Sequence, residues 1–488
     1  MTSTDLKRRA FLRQSGTLGA AGLIAPWAMN LAAMANAAAA GEVSDYKALV
    51  CVFLQGGNDQ ANTLIPVDLA GHATYASLRG QLALPLPGLA ATTLAPKLGM
   101  AQDQQLALAP ALALLKPLFD NQRLAALLNI GPLTQVTTKQ QFLDAFLGAG
   151  GSAVLPPKLF SHNDQQSVWQ SYGAEGEVRG WGGLIGDNFH ASRNASSALT
   201  CVNLAGNTVY LAGGTVGQFM VNPKGPAPLA ALNGSALFDS EGCAQAFKSL
   251  ATTQLPNAHR MSKEHAKIMS RAIQTSESLR QALEGVPLPP IFDAGGVAQS
   301  GLASNPLAVQ LNTAARIMAV RDDAAVKVKR QVFFVALGGF DHHDNLIDDH
   351  PRKLRQVAEA LSQFDQDLGT LGLRDQVTTF TASDFGRTMS SNGNGSDHGW
   401  GSHHFVLGGA VNGGRYFGQL PDVGRDSQGR DTGDHNVGQG RLLPTMAVDQ
   451  LAEALAKWMG VTDAASLDLI APHRRQAWPH SLSTLFKA

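Results

Sequence analysis

An α/β fold, with a mostly parallel sheet sandwiched between helices, is predicted for this 488-residue chain by three observations. Four short apolar runs rich in β-formers show no polar alternation, the mark of strands buried on both faces. A helix with a single apolar stripe separates two of them. Three of the four runs lead into an Asp, which places polar chemistry at the sheet edge where the loops of open α/β folds converge.

Taken in order, Ala48 to Leu54 leads into Gln55-Gly56-Gly57-Asn58-Asp59, and Leu124 to Ile130 ends in Gly131-Pro132. Val332 to Leu337 runs into Gly338-Gly339-Phe340-Asp341, and Val377 to Thr381 into Ala382-Ser383-Asp384. Between the last two, Leu354, Val357, Leu361, Phe364, Leu368 and Leu371 recur three and four apart, and Gly372 follows as a stop signal. Strand, helix, strand in that order is a crossover unit of a parallel sheet. Helical patterns at 263–283, 308–320 and 447–459 supply further layers. Residues 190–260, with short β-prone pieces and many Gly and Asn, are expected as an insertion. Residues 411–440 hold eight Gly without periodicity and are expected as a long surface loop, a kind of segment that is commonly functional.

The length would allow about three domains, yet the elements read as one large domain over 41–488 behind an export signal at 1–40. That signal is a basic cluster, Lys7-Arg8-Arg9-Ala10-Phe11-Leu12-Arg13, then a weakly apolar stretch, Leu18 to Ala33, then small residues ending at Ala40. Paired arginines before Phe-Leu, with Gly, Pro26 and Asn30 diluting the apolar stretch, resemble the twin-arginine type. The twin-arginine translocase is therefore an expected partner, and a periplasmic or secreted location is expected. No stretch is apolar enough for a stable membrane span. The formal charge is zero, from 38 basic and 38 acidic residues. Lys7, Arg8, Arg9, Arg13 and Asp5 fall in the leader, leaving 34 basic against 37 acidic residues, a balance that argues against nucleic acid as a partner. Cys51, Cys201 and Cys243 lie far apart and show no metal or disulfide spacing, so buried free thiols are expected.

Polar residues gather after the strands: Asp59 with Asn62 and Thr63, Asp341-His342-His343-Asp344, Asp384 with Arg387, and Asp397-His398 with His403-His404. Six of the 14 histidines fall in two short segments, His342, His343 and His350, and His398, His403 and His404. Carboxylates with neutral imidazoles are a ligand set for zinc, manganese or iron, which activate water and stabilise phosphoryl or sulfuryl transfer. The competing reading is that such residues cap helices and pair with one another. Trp169, Trp181 and Trp400 beside these segments read as core or as an apolar wall. A Gly-rich stretch at 408–414 lacks the context of a nucleotide loop, and no G-x-S-x-G or H-E-x-x-H is present.

Gly56-Gly57-Asn58-Asp59-Gln60-Ala61-Asn62-Thr63, Ser161-His162-Asn163-Asp164-Gln165, Gly180-Trp181-Gly182-Gly183, Gly338 to His343, Ser383-Asp384-Phe385-Gly386-Arg387-Thr388 and Asp397-His398-Gly399, in that order, resemble a bacterial family known as domain of unknown function 1501. That family resembles a distant branch of the alkaline phosphatase and sulfatase superfamily. The resemblance implies an alkaline-phosphatase-like mixed sheet, divalent metal ions (zinc, manganese, iron or calcium), and hydrolysis of an anionic phosphate or sulfate ester, small or polymeric. Mapped by order, Asp59, Asp341, His343, Asp384, Asp397 and His398 are the candidate metal ligands. Two positions depart from the superfamily pattern: Phe385 stands where a His usually follows the Asp, and Asn345 where a ligand is usual.

Two residues are candidates for catalysis. Ser161 starts an apparent helix, where its hydroxyl is either a nucleophile with the helix N–H groups holding the anion, or an N-cap. Thr63 is a second candidate. Arg387 is placed either to grip an anionic oxygen pair or to make an ordinary salt bridge. The expected function is an exported metal-dependent hydrolase. The alternative is a non-catalytic periplasmic or cell-surface binding protein that keeps the fold, and an oxidoreductase has only the export route in its favour.

Overall fold

In a computed structural model, the structure describes residues 46–98, 104–194, 197–226, 232, 238–254, 259–293 and 296–487. The export signal at 1–40 lies outside the described residues. The centre is a nine-stranded sheet. Its strands are β1 (Lys47–Gln55), β2 (Leu124–Gly131), β3 (Cys201–Asn203), β4 (Gln218–Met220), β5 (Arg330–Gly338), β6 (Val377–Ser383), β7 (Ser402–Leu407), β8 (Arg415–Phe417) and β9 (Met446–Ala447). Their spatial order is β8-β2-β7-β6-β1-β5-β3-β4, with β9 also paired to β2. Only β7 runs antiparallel to its neighbours, so the sheet is mixed and mostly parallel.

Alternation along β1 shows why helices must cover both faces. Ala48, Val50, Val52 and Leu54 point to one side, where they meet α6 (Pro306–Ala319) and α7 (Leu346–Thr370) through Leu307, Leu311, Leu354, Val357, Leu361, Phe364 and Leu368. Leu49, Cys51 and Phe53 point to the other, against α3 (Trp181–Asp187) and α8 (Val448–Met459) through Trp181, Ile185, Leu451, Leu455 and Met459. Every residue from Ala48 to Leu54 is at most 4% exposed, which is why its sequence shows no polar alternation. The stripe expected at 354–371 is the buried face of α7, and the crossover from β5 through α7 to β6 is present, with β1 between the two strands.

Four other helices are α1 (Leu69–Arg79), α2 (His162–Ser171), α4 (Glu241–Thr252) and α5 (Arg260–Leu283). Within the segment expected as an insertion, β3 and β4 extend the sheet beyond β5, and α4 follows them. The loop expected at 411–440 is interrupted by β8, which pairs with β2, and by a small hairpin, Gly424–Arg425 with Asp431–Thr432. Cys51 and Cys201 are buried free thiols as expected, whereas Cys243 is exposed on α4. No helix among the described residues is long and apolar enough to cross a membrane.

Candidate metal centre

Strands β5, β1 and β6 are parallel neighbours in close register, Gln55 opposite Gly338 and Leu54 opposite Ser383, so their C-terminal ends open onto one place. The loop after β1 must then pass directly over the loop after β5. Gly56, at φ +113°, makes this possible, since a Cβ there would lie 2.5 Å from the Asp341 backbone nitrogen. Above these ends sit the start of α2 and a hairpin, Arg387–Ser391 with Ser396–His398.

Asp341 is the hub. Its Oδ1 lies 3.1 Å from His343 Nε2 and 3.3 Å from His398 Nε2, and its Oδ2 lies 3.3 Å from His162 Nε2. His343 Nε2 and His398 Nε2 are 2.9 Å apart. His162, Asp341 and His398 offer one ligand atom each within 4.8 Å of one another, a group that could hold a metal ion.

The far nitrogen of each imidazole settles what the near one presents. His398 Nδ1 is 2.7 Å from the Phe160 carbonyl, an acceptor only, so Nδ1 carries the proton and Nε2 of the neutral ring presents a lone pair. His162 Nδ1 donates to Asp384 Oδ2 at 2.7 Å, and His343 Nδ1 faces Asp397 Oδ1 at 3.3 Å. Three lone pairs therefore converge with a carboxylate, and only a cation between them, proton or metal, makes the arrangement favourable. A carboxylate or carbonyl behind each histidine is the usual second layer of a metal site.

The electrostatics agree. The hydrogen bond to Asp384 raises the His162 pKa against the opposing effect of burial. Burial lowers that of His398 and outweighs the Phe160 carbonyl, keeping the ring neutral. Burial alone would raise the Asp341 carboxyl, but the hydrogen bond and charge of Arg387, with His162 and His343 beside it, hold it below the usual carboxylate range. The Asp341 and His343 side chains are 43% and 44% exposed, so the centre is open to a ligand from solvent.

Among the sequence-derived candidates, Asp341, His343 and His398 come together directly. Asp384 and Asp397 stand one layer back, each behind a histidine; Asp384 also accepts from Gln166 Nε2 at 2.9 Å. Asp59 is elsewhere: its carboxylate pairs with Arg79 at 2.5 Å, both side chains fully buried, and no hydrogen bond or ion pair among the described residues joins it to the cluster. Arg387 takes the salt-bridge role. Its guanidinium is fully buried and holds Asp341 Oδ1 at 2.8 Å, Gly56 O at 2.9 Å and Ser396 Oγ at 3.0 Å, which leaves it unable to grip a ligand. Ser161 precedes α2 without capping it, and its hydroxyl donates to Asp164 Oδ2 at 2.9 Å. Thr63 Oγ1 donates to the Asp59 carbonyl at 2.7 Å.

Four of the six clustered histidines, His342, His350, His403 and His404, are buried away from the three that converge. Burial pushes His350 and His404 down to about 3 and His403 down to about 4. The residue that sequence reasoning passed over is His162, inside the stretch where attention fell on Ser161. Its signal was a histidine at the first turn of a helix among polar neighbours. Phe385 fills the place of the missing histidine: its ring packs 4.5 Å from His398 and 4.8 Å from His162, a dry wall against both imidazoles.

The model of the family described as "Protein of unknown function (DUF1501)" matches residues 46–470. No curated protein matches the chain. Among solved structures it is similar to the lipoteichoic acid synthase LtaP from Listeria monocytogenes, at 9% identity and TM-score 0.32 over 87% of this chain and 76% of that one. It is also similar to the PsFucS1 sulfatase from Pseudoalteromonas sp., at 10% identity and TM-score 0.34 over 89% and 71%.

Proposed function

We propose that this chain, which belongs to the DUF1501 family, is a metal-dependent hydrolase of phosphate or sulfate esters built around one cation. The observation that carries the reading is the convergence of three imidazole lone pairs on Asp341, each ring held from behind by Asp384, Asp397 or the Phe160 carbonyl. His162, Asp341 and His398 would hold the ion, with His343 beside them as a fourth donor. A nitrogen-rich set of this kind suits zinc, iron or manganese better than calcium, which prefers oxygen ligands. When bound, such an ion supplies Lewis acidity and lowers the pKa of water.

The chain's own residues do the rest. Arg387 fixes the Asp341 carboxylate, Phe385 excludes water from one side of His162 and His398, and Asp397 orients the half-exposed His343 ring beside the centre. In this reading the Oδ2 atoms of Asp59 and Asp384 are held by Arg79 and by His162 with Gln166, so neither carboxylate is counted among the ligands of the ion.

The test is metal analysis of full-length protein purified without chelator, followed by hydrolysis of 4-nitrophenyl phosphate and sulfate by the wild type and by Asp341→Asn and His398→Gln. About one transition-metal ion per chain and loss of hydrolysis in both variants are expected. Absence of stoichiometric metal would end this reading. The second reading, a binding protein that keeps the fold, draws on Ser161, whose hydroxyl is turned to Asp164. It is chosen if metal is bound at full occupancy and neither ester is cleaved. On either reading we infer export through the twin-arginine route, on the strength of Arg8 and Arg9. Lysine at both positions should retain the protein in the cytoplasm.

A further inference from the structure

The loop that offers Asp341 to the metal centre has a second side. There a groove of ≈ 420 Å³ is lined by Gly339, His342, Asp349, Arg352, Lys353 and Gln356. The last four fall at helical spacing on one stripe of α7, and the first two come from the loop itself. Arg352 pairs with Asp349. Lys353 makes no hydrogen bond or ion pair among the described residues, so its charge is the one left uncompensated in the groove. Its side chain lies across Gly339, where a Cβ would stand 2.7 Å from Nζ, so glycine at that position is what gives the lysine its room. His342 is 6% exposed, and its Nε2 is buried without a partner. Folded proteins leave few buried polar groups unpaired, and those that remain call for a specific explanation.

We propose that this groove is a subsite for a second anionic group, phosphate, sulfate or carboxylate, of the ester whose reacting group meets the metal centre. A lysine ammonium lining the same groove as an imidazole whose Nε2 is unpartnered is the complement of a tetrahedral or carboxylate oxyanion. Asp341 and His342 are consecutive, so the two sites are the two sides of one loop, and a substrate carrying two acidic groups reaches both by lying across it. The substrate class is thereby narrowed to polyanionic esters. This inference rests on the ester-hydrolase reading, whereas the anion-binding capacity of the groove does not.

Two measurements separate them. In the first, inorganic phosphate and sulfate are titrated calorimetrically into full-length protein kept in chelator, so that no metal contributes to binding. Lys353→Met and Lys353→Gln should each weaken binding at least about tenfold, the loss of a charge-assisted hydrogen bond, while Lys353→Arg retains it. Equal binding by wild type and both neutral variants overturns the proposal. In the second, metal-loaded protein is given a mono-anionic aryl ester and an analogue with an added carboxylate or phosphate. Lys353→Met should raise KM for the doubly charged ester at least about tenfold and leave the mono-anionic ester unchanged. Equal effects on both esters overturn the substrate assignment and leave a site for free inorganic anion. If neither ester is cleaved while the first measurement succeeds, the hydrolase reading fails and the anion site stands.

Discussion

Removing Arg79 should test the division of labour at the sheet edge more sharply than any change in the cluster. Its guanidinium and the Asp59 carboxylate form a fully buried ion pair, and it also donates to the Thr388 carbonyl at 3.0 Å. In Arg79→Met the apolar stem is retained, but Asp59 is left as a buried charge without its cation and Thr388 loses a donor. Breaking one partner of such a pair costs about 3–5 kcal/mol. Asp59→Asn should cost less, since the amide oxygen can still accept from Arg79. The double variant should recover a good part of the Arg79→Met loss, because removing both charges removes the desolvation penalty, giving a coupling of about 0.5–3 kcal/mol. Urea unfolding followed by fluorescence of the buried Trp169, Trp181 and Trp400 reads all three. The same samples carry the functional half: Asp59→Asn should bind metal at wild-type stoichiometry, because Asp59 lies outside the centre. An Arg79→Met variant within about 1 kcal/mol of wild type, or loss of metal in Asp59→Asn, would refute the reasoning and return Asp59 to the ligand set.

Three further outcomes are expected. Asp397→Asn and Asp384→Asn should each weaken metal binding roughly 10–100-fold without abolishing it, as measured by competition with a chromogenic chelator, because they act through His343 and His162. His350, His403 and His404 have folded pKa values of about 3, 4 and 3, below the unfolded value. The unfolded chain therefore takes up their protons first, and stability is complete above ~6.5 and falls by about 1.4 kcal/mol per pH unit for each residue below it; urea midpoints at pH 7.5 and 5.0 should differ less in His404→Leu than in wild type. Gly57→Ala should destabilise the protein and disturb the centre together, since Gly57 sits at φ +85° and a Cβ there would fall 2.4 Å from the Phe385 ring that packs on His162 and His398; unchanged unfolding and metal affinity would contradict this.

Much of the fold was legible because its causes are local. Seven buried residues in a row at β1, and a stripe at spacing three and four along α7, are each the direct imprint of the surface that the element covers. The short strands β3 and β4 were not legible, since three residues with flanking Gly and Asn carry no period. Of the site, the approximate place was readable, because Asp341 and Asp384 follow parallel strands whose ends must meet. Their roles were not. Asp59, Asp341 and Asp384 look alike in sequence, yet one is bound to Arg79, one gathers the histidines and one stands behind His162. Likewise His398 and His404 lie six positions apart, but one ring reaches a solvent-open cluster and the other, on β7, is buried against Trp169.

The sequence by itself determined a mostly parallel α/β sheet, the strand ends as the place for chemistry, and a set of Asp and His residues there. Only the tertiary structure decided which of them act on one another. That decision depends on segments around 160, 341 and 398 that lie far apart in the chain, and on which nitrogen of each ring is already taken by an acceptor behind it. Hydrogen bonding at that scale is set by tenths of an ångström in three dimensions, and no periodicity along one dimension records it.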